Sequence, residues 1–396
     1  MSSKKNYKVC HLFYEEFPRD PRVRRYVNAL NESGIYCAVI CSRKKRDKLF
    51  EYWNGNAVYR IPVAKLRQSF VITFLEYLVF TFLSSVLISY LGIKYRFKIV
   101  HVHTLPDSLV FAPAFNKLFG ARLILDLHEV FPELFIARKP KLENSFWVKI
   151  LKLNERISIK FADELITIHD NAKEIFIERN KGIENKIHVI MNGVDPAEFK
   201  DSVHEPTGKF GIIYNGTINK ILNLTMIVEA ISGLKNKMEI KDFERIVFRL
   251  YGDGPSVGEI LVLAETLGVK DNVDYRGFIP PPEMRKEVLK SNVLILPPLK
   301  NIYSDLFYTI KLVEMIYLKI PVIATRLNTY KRYYREESLF YFDSGNLDQL
   351  VEKIEEVYYN KELVAKKVNN AYEDYMKVNW EIMKSRYLEI IHKLLN

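Results

Sequence analysis

Three short segments carry residue types that suit a phosphorylated ligand. Gly252-Asp253-Gly254-Pro255 follows the apolar run Val247–Tyr251 and opens an amphipathic stretch. Glycines at a strand-to-helix turn let backbone N–H groups approach a ligand, and the helix N-terminus favours its phosphates. A plain turn has the same composition. Asn215-Gly216-Thr217 closes an earlier apolar run and offers the same two readings. The most informative segment is Ser304–Thr325. Its polar loop, Ser304-Asp305-Leu306-Phe307-Tyr308-Thr309, leads into Ile310-Lys311-Leu312-Val313-Glu314-Met315. Lys311 and Glu314 are three apart, so they share one helix face near its start. They suit a surface ion pair. They also suit a site in which Glu314 accepts ribose hydroxyls while Lys311 and the loop amides hold a diphosphate.

Positioning these segments takes a repeated strand-helix alternation. In the first half, strands are expected at Tyr7–Tyr14, Tyr36–Cys41, Ala57–Ile61, Lys98–His103, Arg122–Leu127, Glu164–Ile168 and Lys186–Met191. A helix is expected over Asp20–Ser33, with Asp20 as N-cap, Pro21 first and Gly34 as the stop. Another is expected over Asp107–Phe119. The pattern restarts with strands at Phe210–Tyr214, Arg245–Tyr251, Val293–Leu296 and Val322–Ala324, and a helix from about Ile221 to Ile231. The polar stretch Phe199–Lys209 reads as a linker. Such alternation means parallel sheets covered by helices, an α/β chain of two doubly wound domains. Ligands bind at the carboxyl ends of such strands, so the site is expected in a cleft where two such domains face each other.

Composition agrees with two cores. The chain has 396 residues, 48% apolar and 27% charged, which is a globular balance. Its net charge of +11 attracts polyanions. No zinc-finger or helix-turn-helix pattern accompanies that charge, so a nucleic-acid partner is not expected. The densest basic run is 43–48, Arg43-Lys44-Lys45-Arg46-Asp47-Lys48, a solvated loop or a phosphate- or lipid-facing patch. Cys10, Cys37 and Cys41 form no CxxC and read as buried thiols, which points to the cytosol. The N-terminus, Met-Ser-Ser-Lys-Lys, leads straight into a strand and does not read as a signal peptide. One segment does not suit a soluble surface. Residues 70–93, FVITFLEYLVFTFLSSVLISYLGI, carry a single charge, Glu76. They lie between two strands of one expected sheet, so a bilayer span would split that sheet. The expected form is a helix buried on one face, with an apolar strip exposed on the other, lying on an anionic membrane; an ordinary crossover helix is the alternative.

The order of Gly-Asp-Gly-Pro (252–255), Tyr-Arg-Gly-Phe-Ile-Pro (275–280), Lys-Leu-Val-Glu-Met (311–315) and Ile-Pro-Val-Ile-Ala-Thr (320–325) resembles the family 4 retaining glycosyltransferases of the GT-B fold. The first half agrees. Arg19-Asp20-Pro21-Arg22-Val23-Arg24-Arg25, His101-Val102-His103 with Leu105-Pro106-Asp107, Asp126-Leu127-His128-Glu129 and Met191-Asn192-Gly193-Val194-Asp195 are similar to the family's successive segments. Asn379-Trp380-Glu381 and the last helix resemble the part that crosses back. The resemblance implies two Rossmann-like domains facing each other across a cleft. Residues 1–199 would form the acceptor-side domain and 200–377 the donor domain, and 378–396 the returning helix.

The roles it implies are these. Glu314 binds the donor's ribose. Lys311, Leu312, Tyr308 and Thr309 face the diphosphate. Gly252, Asp253 and Gly254 line the donor site with Gly216, Thr217 and Lys220, and Phe278 and Ile279 lie beside the base. His128 reaches the transferred sugar near the reacting carbon. Asp20, Arg22, Asp107 and Glu129 lie on the acceptor side. Three positions depart from the family: Leu306 stands where a first glutamate is common, Thr217 and Leu222 where Arg and Lys are, and Thr309 where Pro is. Lys220 is the available substitute cation. The chemistry implied is transfer of a sugar from a UDP- or GDP-sugar to a hydroxyl with retention. There is no Asp-x-Asp, so no metal or other cofactor is expected. The apolar strip and basic run suggest a lipid-linked saccharide acceptor at the inner face of the cell membrane. A sugar-nucleotide epimerase or hydrolase of the same shape, or a degenerate homologue scaffolding a partner transferase, are the rival readings.

Overall fold

A computed structural model of the chain describes residues 7–63, 65, 70–200, 203–206 and 208–396. The first six residues, which include the Met-Ser-Ser-Lys-Lys start, and positions 201, 202 and 207 of the expected linker lie outside these. Contacts divide the chain into two compact units, Met1–Met191 with Glu381–Asn396, and Asn192–Trp380.

The first unit is built on one eight-stranded sheet. Its strands are β1 (Val9–Leu12), β2 (Cys37–Ser42), β3 (Phe50–Trp53), β4 (Asn56–Ile61), β5 (Ile99–His103), β6 (Arg122–Leu127), β7 (Glu164–Thr167) and β8 (Ile187–Val189), in the order β3-β4-β2-β1-β5-β6-β7-β8. All neighbours are parallel except β3 and β4. Every residue of β1, β2, β5 and β7 is buried, because helices cover both faces. Those helices are α1 (Pro21–Glu32), α2 (Phe70–Tyr95), α3 (Ala114–Leu118), α4 (Phe131–Arg138), α5 (Phe146–Phe161) and α6 (Asp170–Arg179). Strand order reverses at β1, which puts the topological switch between the carboxyl ends of β1 and β5.

Local chemistry explains the elements. Asp20 caps α1 by accepting from the Val23 amide at 2.9 Å, and Gly34 turns the chain at φ +75°. The helix expected over Asp107–Phe119 is two pieces, a 3-10 turn Asp107–Phe111 and α3. Pro113 lies between them and has no N–H to continue the helical ladder. β3 was not anticipated, although its turn was readable. Asn54 and Gly55 both have positive φ, as a two-residue hairpin requires.

In α2, Glu76, Phe80, Ser84, Ile88 and Leu91 are buried. Every exposed residue from Phe74 to Ile93 is apolar or a tyrosine. Glu76, the one charge in that stretch, accepts from the Tyr14 hydroxyl at 3.0 Å. The helix is long and apolar enough to cross a membrane by length and composition. It nevertheless connects β4 and β5, two strands of a single sheet, which a crossing would place on opposite sides.

The second unit has six parallel strands, β9 (Phe210–Asn215), β10 (Ile246–Tyr251), β11 (Val273–Gly277), β12 (Val293–Leu296), β13 (Val322–Thr325) and β14 (Phe340–Phe342), ordered β11-β10-β9-β12-β13-β14. The switch recurs between β9 and β12. Helices α7 (Thr225–Leu234), α8 (Ile240–Phe243), α9 (Val257–Thr266), α10 (Pro281–Leu289), α11 (Ile310–Tyr317), α12 (Asn328–Tyr333), α13 (Leu347–Tyr359) and α14 (Lys361–Met376) complete it. The helix expected from Ile221 starts at Thr225, because Asn223 takes a left-handed φ of 51° after a 3-10 turn. The last helix, α15 (Trp380–Leu395), packs in the first unit from Glu381 onward, with the Tyr387 ring 4.3 Å from that of Tyr26.

Candidate active site

In the first unit, the carboxyl ends of β5 and β6 bring His103, Asp126 and His128 together. Alternation along β6 and into its following loop puts Asp126 and His128 on one side. Asp126 is fully buried and accepts two charge-assisted bonds from Arg22 of α1, at 3.0 Å from Nε and 2.9 Å from Nη2. His103 Nδ1 and His128 Nε2 lie 3.2 and 3.1 Å from its Oδ2. His11 Nδ1 lies 3.0 Å from His103 Nε2.

His103 Nδ1 and His128 Nε2 lie 3.2 Å from each other, side by side at the same Asp126 oxygen. Burial alone would raise the Asp126 pKa, but Arg22 and His128 hold the carboxyl well below its usual range. Burial pushes the His11, His101 and His103 pKa values down, so these imidazoles are neutral. Both His103 Nδ1–H and His128 Nε2–H then donate to the carboxylate, and His11 Nδ1–H donates to His103 Nε2. The His128 side chain is 20% exposed, with Nε2 held toward Asp126 and the opposite ring edge turned away from it. Its backbone is fixed as well, since the His128 amide donates to Thr104 Oγ1 at 3.0 Å. An imidazole edge held in one direction can hydrogen-bond a hydroxyl of a ligand.

The second unit's site lies at the ends of β9 and β10. Gly216 and Gly252 have φ of 126° and 118°, and a Cβ on Gly252 would fall 1.9 Å from the Gly216 carbonyl oxygen. A Cβ on Gly254 would fall 2.0 Å from the Ile218 carbonyl oxygen. The two loops are therefore locked by backbone contact, which only glycine permits. The Gly216 amide donates to Tyr251 and the Gly252 amide to Gly277, at 3.0 and 2.8 Å. These glycines supply close approach rather than free amides. Lys311, in the first turn of α11, extends to the same place. Its Nζ lies 5.3 Å from the Tyr214 ring centroid, and its Cε and Nζ crowd any Cβ on Gly216. Burial lowers its pKa, and Glu314 one turn on opposes that shift. A half-buried cation at a helix N-terminus, against a glycine-lined backbone, is suited to an anion.

The other expected residues are placed as follows. Glu314 is half-buried, while Asp253, Thr217 and Lys220 are exposed at the ends of β9 and β10. Phe278 is 78% exposed just beyond β11, beside the half-buried Ile279. Leu312 is fully buried. Tyr308 is buried, its hydroxyl 2.9 Å from that of Tyr334, so its ring serves the core. The Thr309 hydroxyl caps α11 by accepting from the Leu312 amide at 3.4 Å. Leu306 is buried and Leu222 half-buried. Asp20 caps α1, and Arg22 points inward to Asp126. Asp107 is buried, and burial, with Glu155 adding, pushes its pKa up to about 7. Glu129 is half-buried beside His128. Asp126 and His103 lie in segments already singled out from the sequence without a role, and His11 lies within the strand expected at Tyr7–Tyr14. The signal was there in part: His101 and His103 alternate on one strand, and Asp126 stands two before His128.

Among the described residues, two groups have metal-like spacing, His11 with His101 and His103, and His103 with Asp126 and His128. In the second, both Asp126 oxygens already meet the Arg22 guanidinium, so a divalent ion would sit beside a fixed cation. In the first, His11 Nδ1 and His103 Nε2 are already engaged with each other at 3.0 Å.

Comparison with known proteins agrees with this layout. Residues 22–198 match the model described as Glycosyltransferase Family 4, and residues 195–374 the one described as Glycosyl transferases group 1. No curated protein matches in sequence. Among solved structures, sucrose-phosphate synthase from Thermosynechococcus elongatus is similar with a TM-score of 0.76 at 14% identity, over 98% of this chain and 99% of that one. HepE from Anabaena in complex with UDP-glucose gives 0.69 at 12%, over 97% and 99%. WaaG, a glycosyltransferase involved in lipopolysaccharide biosynthesis, gives 0.69 at 14%, over 97% and 99%. Identities this low show a shared fold, that of GT-B glycosyltransferases.

Proposed function

The chain belongs to glycosyltransferase family 4, and from that premise we propose that it moves a sugar from a nucleotide-diphosphate donor to a hydroxyl, retaining the anomeric configuration. The observation that carries the donor reading is Lys311, half-buried against the glycine-locked ends of β9 and β10 at the start of α11. A diphosphate placed there gains a cation and a helix N-terminus. The developing charge on the leaving group is then met without a metal ion. Glu314, one turn on, accepts the ribose hydroxyls. Thr217 and Lys220 border the phosphates, and Phe278 and Ile279 flank the base. The donor is a UDP- or GDP-sugar, and the nucleotide-sugar reading is supported by the similar HepE structures, which hold UDP and UDP-glucose.

In the first unit, His128 hydrogen-bonds a hydroxyl of the transferred sugar and so orients it. Asp20, Asp107 and Glu129 lie on the acceptor side, and Arg22 acts there through Asp126. We take the acceptor to be a lipid-linked saccharide, and α2 to rest on the inner face of the cell membrane, because every exposed residue from Phe74 to Ile93 is apolar or a tyrosine.

The test is a thermal-shift series with UDP, GDP and their sugars on the wild type and Glu314→Ala. One nucleotide stabilises the wild type, by about 2.7 kcal/mol at a hundred times its dissociation constant, and loses that effect in the variant. If no nucleotide diphosphate stabilises the wild type, the donor site is not functional and the scaffolding homologue is the better reading. Free sugar or epimer released from the nucleotide sugar alone marks the epimerase or hydrolase. Product NMR then reads the anomeric outcome, and activity in excess EDTA reads the need for metal.

A further inference from the structure

The outer face of α5 does not look like the outside of a soluble helix. Phe146, Trp147, Ile150, Leu153 and Ile157 are exposed, Phe146 to 70%. Lys149, Lys152, Arg156 and Lys160 are exposed among them. The single acidic residue of α5, Glu155, is buried and paired with Arg179 at 3.1 Å. Its inner side is packed, with Val148 against Phe135 and Ile136 of α4. An amphipathic helix normally separates its charge from its apolar surface. Here four cations and five large apolar side chains share the solvent face, with no carboxylate. That composition suits a helix lying in an anionic lipid interface. The apolar groups enter the acyl boundary, while the Lys and Arg stems reach the phosphates.

α5 is joined to α2 through the elements packed between them. The 3-10 turn Asp107–Phe111 packs against both helices, with the Phe111 and Phe161 rings 5.0 Å apart. α3 is pressed onto α2, where Asn116 Nδ2 donates to the Ile88 carbonyl at 3.2 Å. It is also tied to the end of α5, where Lys117 Nζ donates to the Phe161 carbonyl at 2.6 Å. Leu118, at the end of α3, and Phe119, just after it, are 84% and 76% exposed. We propose that α5, with α3 and α2, forms one platform that docks on an anionic lipid bilayer, in which α5 supplies the charge-dependent part of binding. The proposal extends the reading of α2 as a membrane-facing helix and is independent of the transfer chemistry.

The experiment uses the full chain and vesicles of phosphatidylcholine alone or mixed with phosphatidylglycerol, with binding followed by co-sedimentation. Brominated lipid reports on Trp147, with Trp147→Phe as the reference for the other tryptophans. One variant replaces Lys149, Lys152, Arg156 and Lys160 by Gln; a second carries Leu78→Ser and Phe82→Ser in α2. All six positions are exposed, and UDP or GDP stabilisation checks that each variant keeps its fold and donor site. The expected result is binding that depends on phosphatidylglycerol and quenching of Trp147. The cation variant should lose about tenfold or more in affinity, with a weaker salt dependence. Equal binding by the cation variant, or an unquenched Trp147, overturns the proposal. If only the α2 variant loses binding, α2 alone docks and α5 does not. A wild type that ignores both vesicles but doubles its mass in light scattering, reversed by the α5 changes, shows that a second copy covers this face instead.

Discussion

Asp126 in the first unit, fully buried, and Lys311 in the second, half-buried, both place a charged side chain near the carboxyl ends of parallel strands, but their surroundings differ. Asp126 has a bidentate Arg22 and two imidazole donors, so its charge is matched within the fold. Lys311 has a tyrosine ring, a glycine backbone and the influence of Glu314 one turn away, while burial weakens its charge. A matched charge keeps a neighbouring group, here His128, in one orientation whether or not a ligand is present. A poorly matched one costs folding energy that an anion can return. The first arrangement is suited to positioning and the second to binding.

The largest break in this comparison is Asp126→Asn. It leaves Arg22 buried without a counter-charge and should cost about 3–5 kcal/mol in urea unfolding. Gly252→Ala comes next. Its Cβ would meet the Gly216 carbonyl oxygen at 1.9 Å, at a φ of 118°. We expect a loss of about 2–3 kcal/mol of stability in thermal melts, together with lost nucleotide binding. Lys311→Met sharpens the contrast from the other side. Nucleoside diphosphate affinity by calorimetry should fall about 10- to 100-fold, as for a lost charged hydrogen bond. Stability should stay level or rise slightly, because a half-buried cation without a close counter-charge is removed.

The smallest effect concerns pH. His11, His101 and His103 have pKa values below that of an unfolded histidine. Their contribution is present above about pH 6.5 and is lost as pH falls, since the unfolded chain takes up protons the fold refuses. Asp107 and Glu155, each pushed up to about 7, act oppositely: their contribution is present below about pH 4 and lost as pH rises toward 7. Comparing wild type with His11→Gln isolates the histidine. The slope of unfolding free energy below pH 6.5 should flatten by up to about 1.4 kcal/mol per pH unit.

Much of the architecture was legible because it rests on local rules. The Asp20 cap, the Gly34 stop and the Thr309–Ile310 helix start depend on a few adjacent residues. The Asn54-Gly55 hairpin was equally local and was overlooked, because β3 is a half-exposed edge strand without a continuous apolar run. Pro113 was visible too, and the expected helix over Asp107–Phe119 gave it too little weight.

The sequence by itself determined the α/β alternation, the order of the motifs and the glycine positions, because these record backbone geometry and burial within a few residues. Tertiary structure decided what each polar residue faces. Arg22 meets Asp126 across 104 positions, and Gly252 meets Gly216 across two loops. Tyr308 turns into the core, and the cations of α5 stay outside. Those outcomes depend on strand register and on which helix covers which face. No local periodicity carries that information, since a one-residue change of register reverses every side chain in a strand.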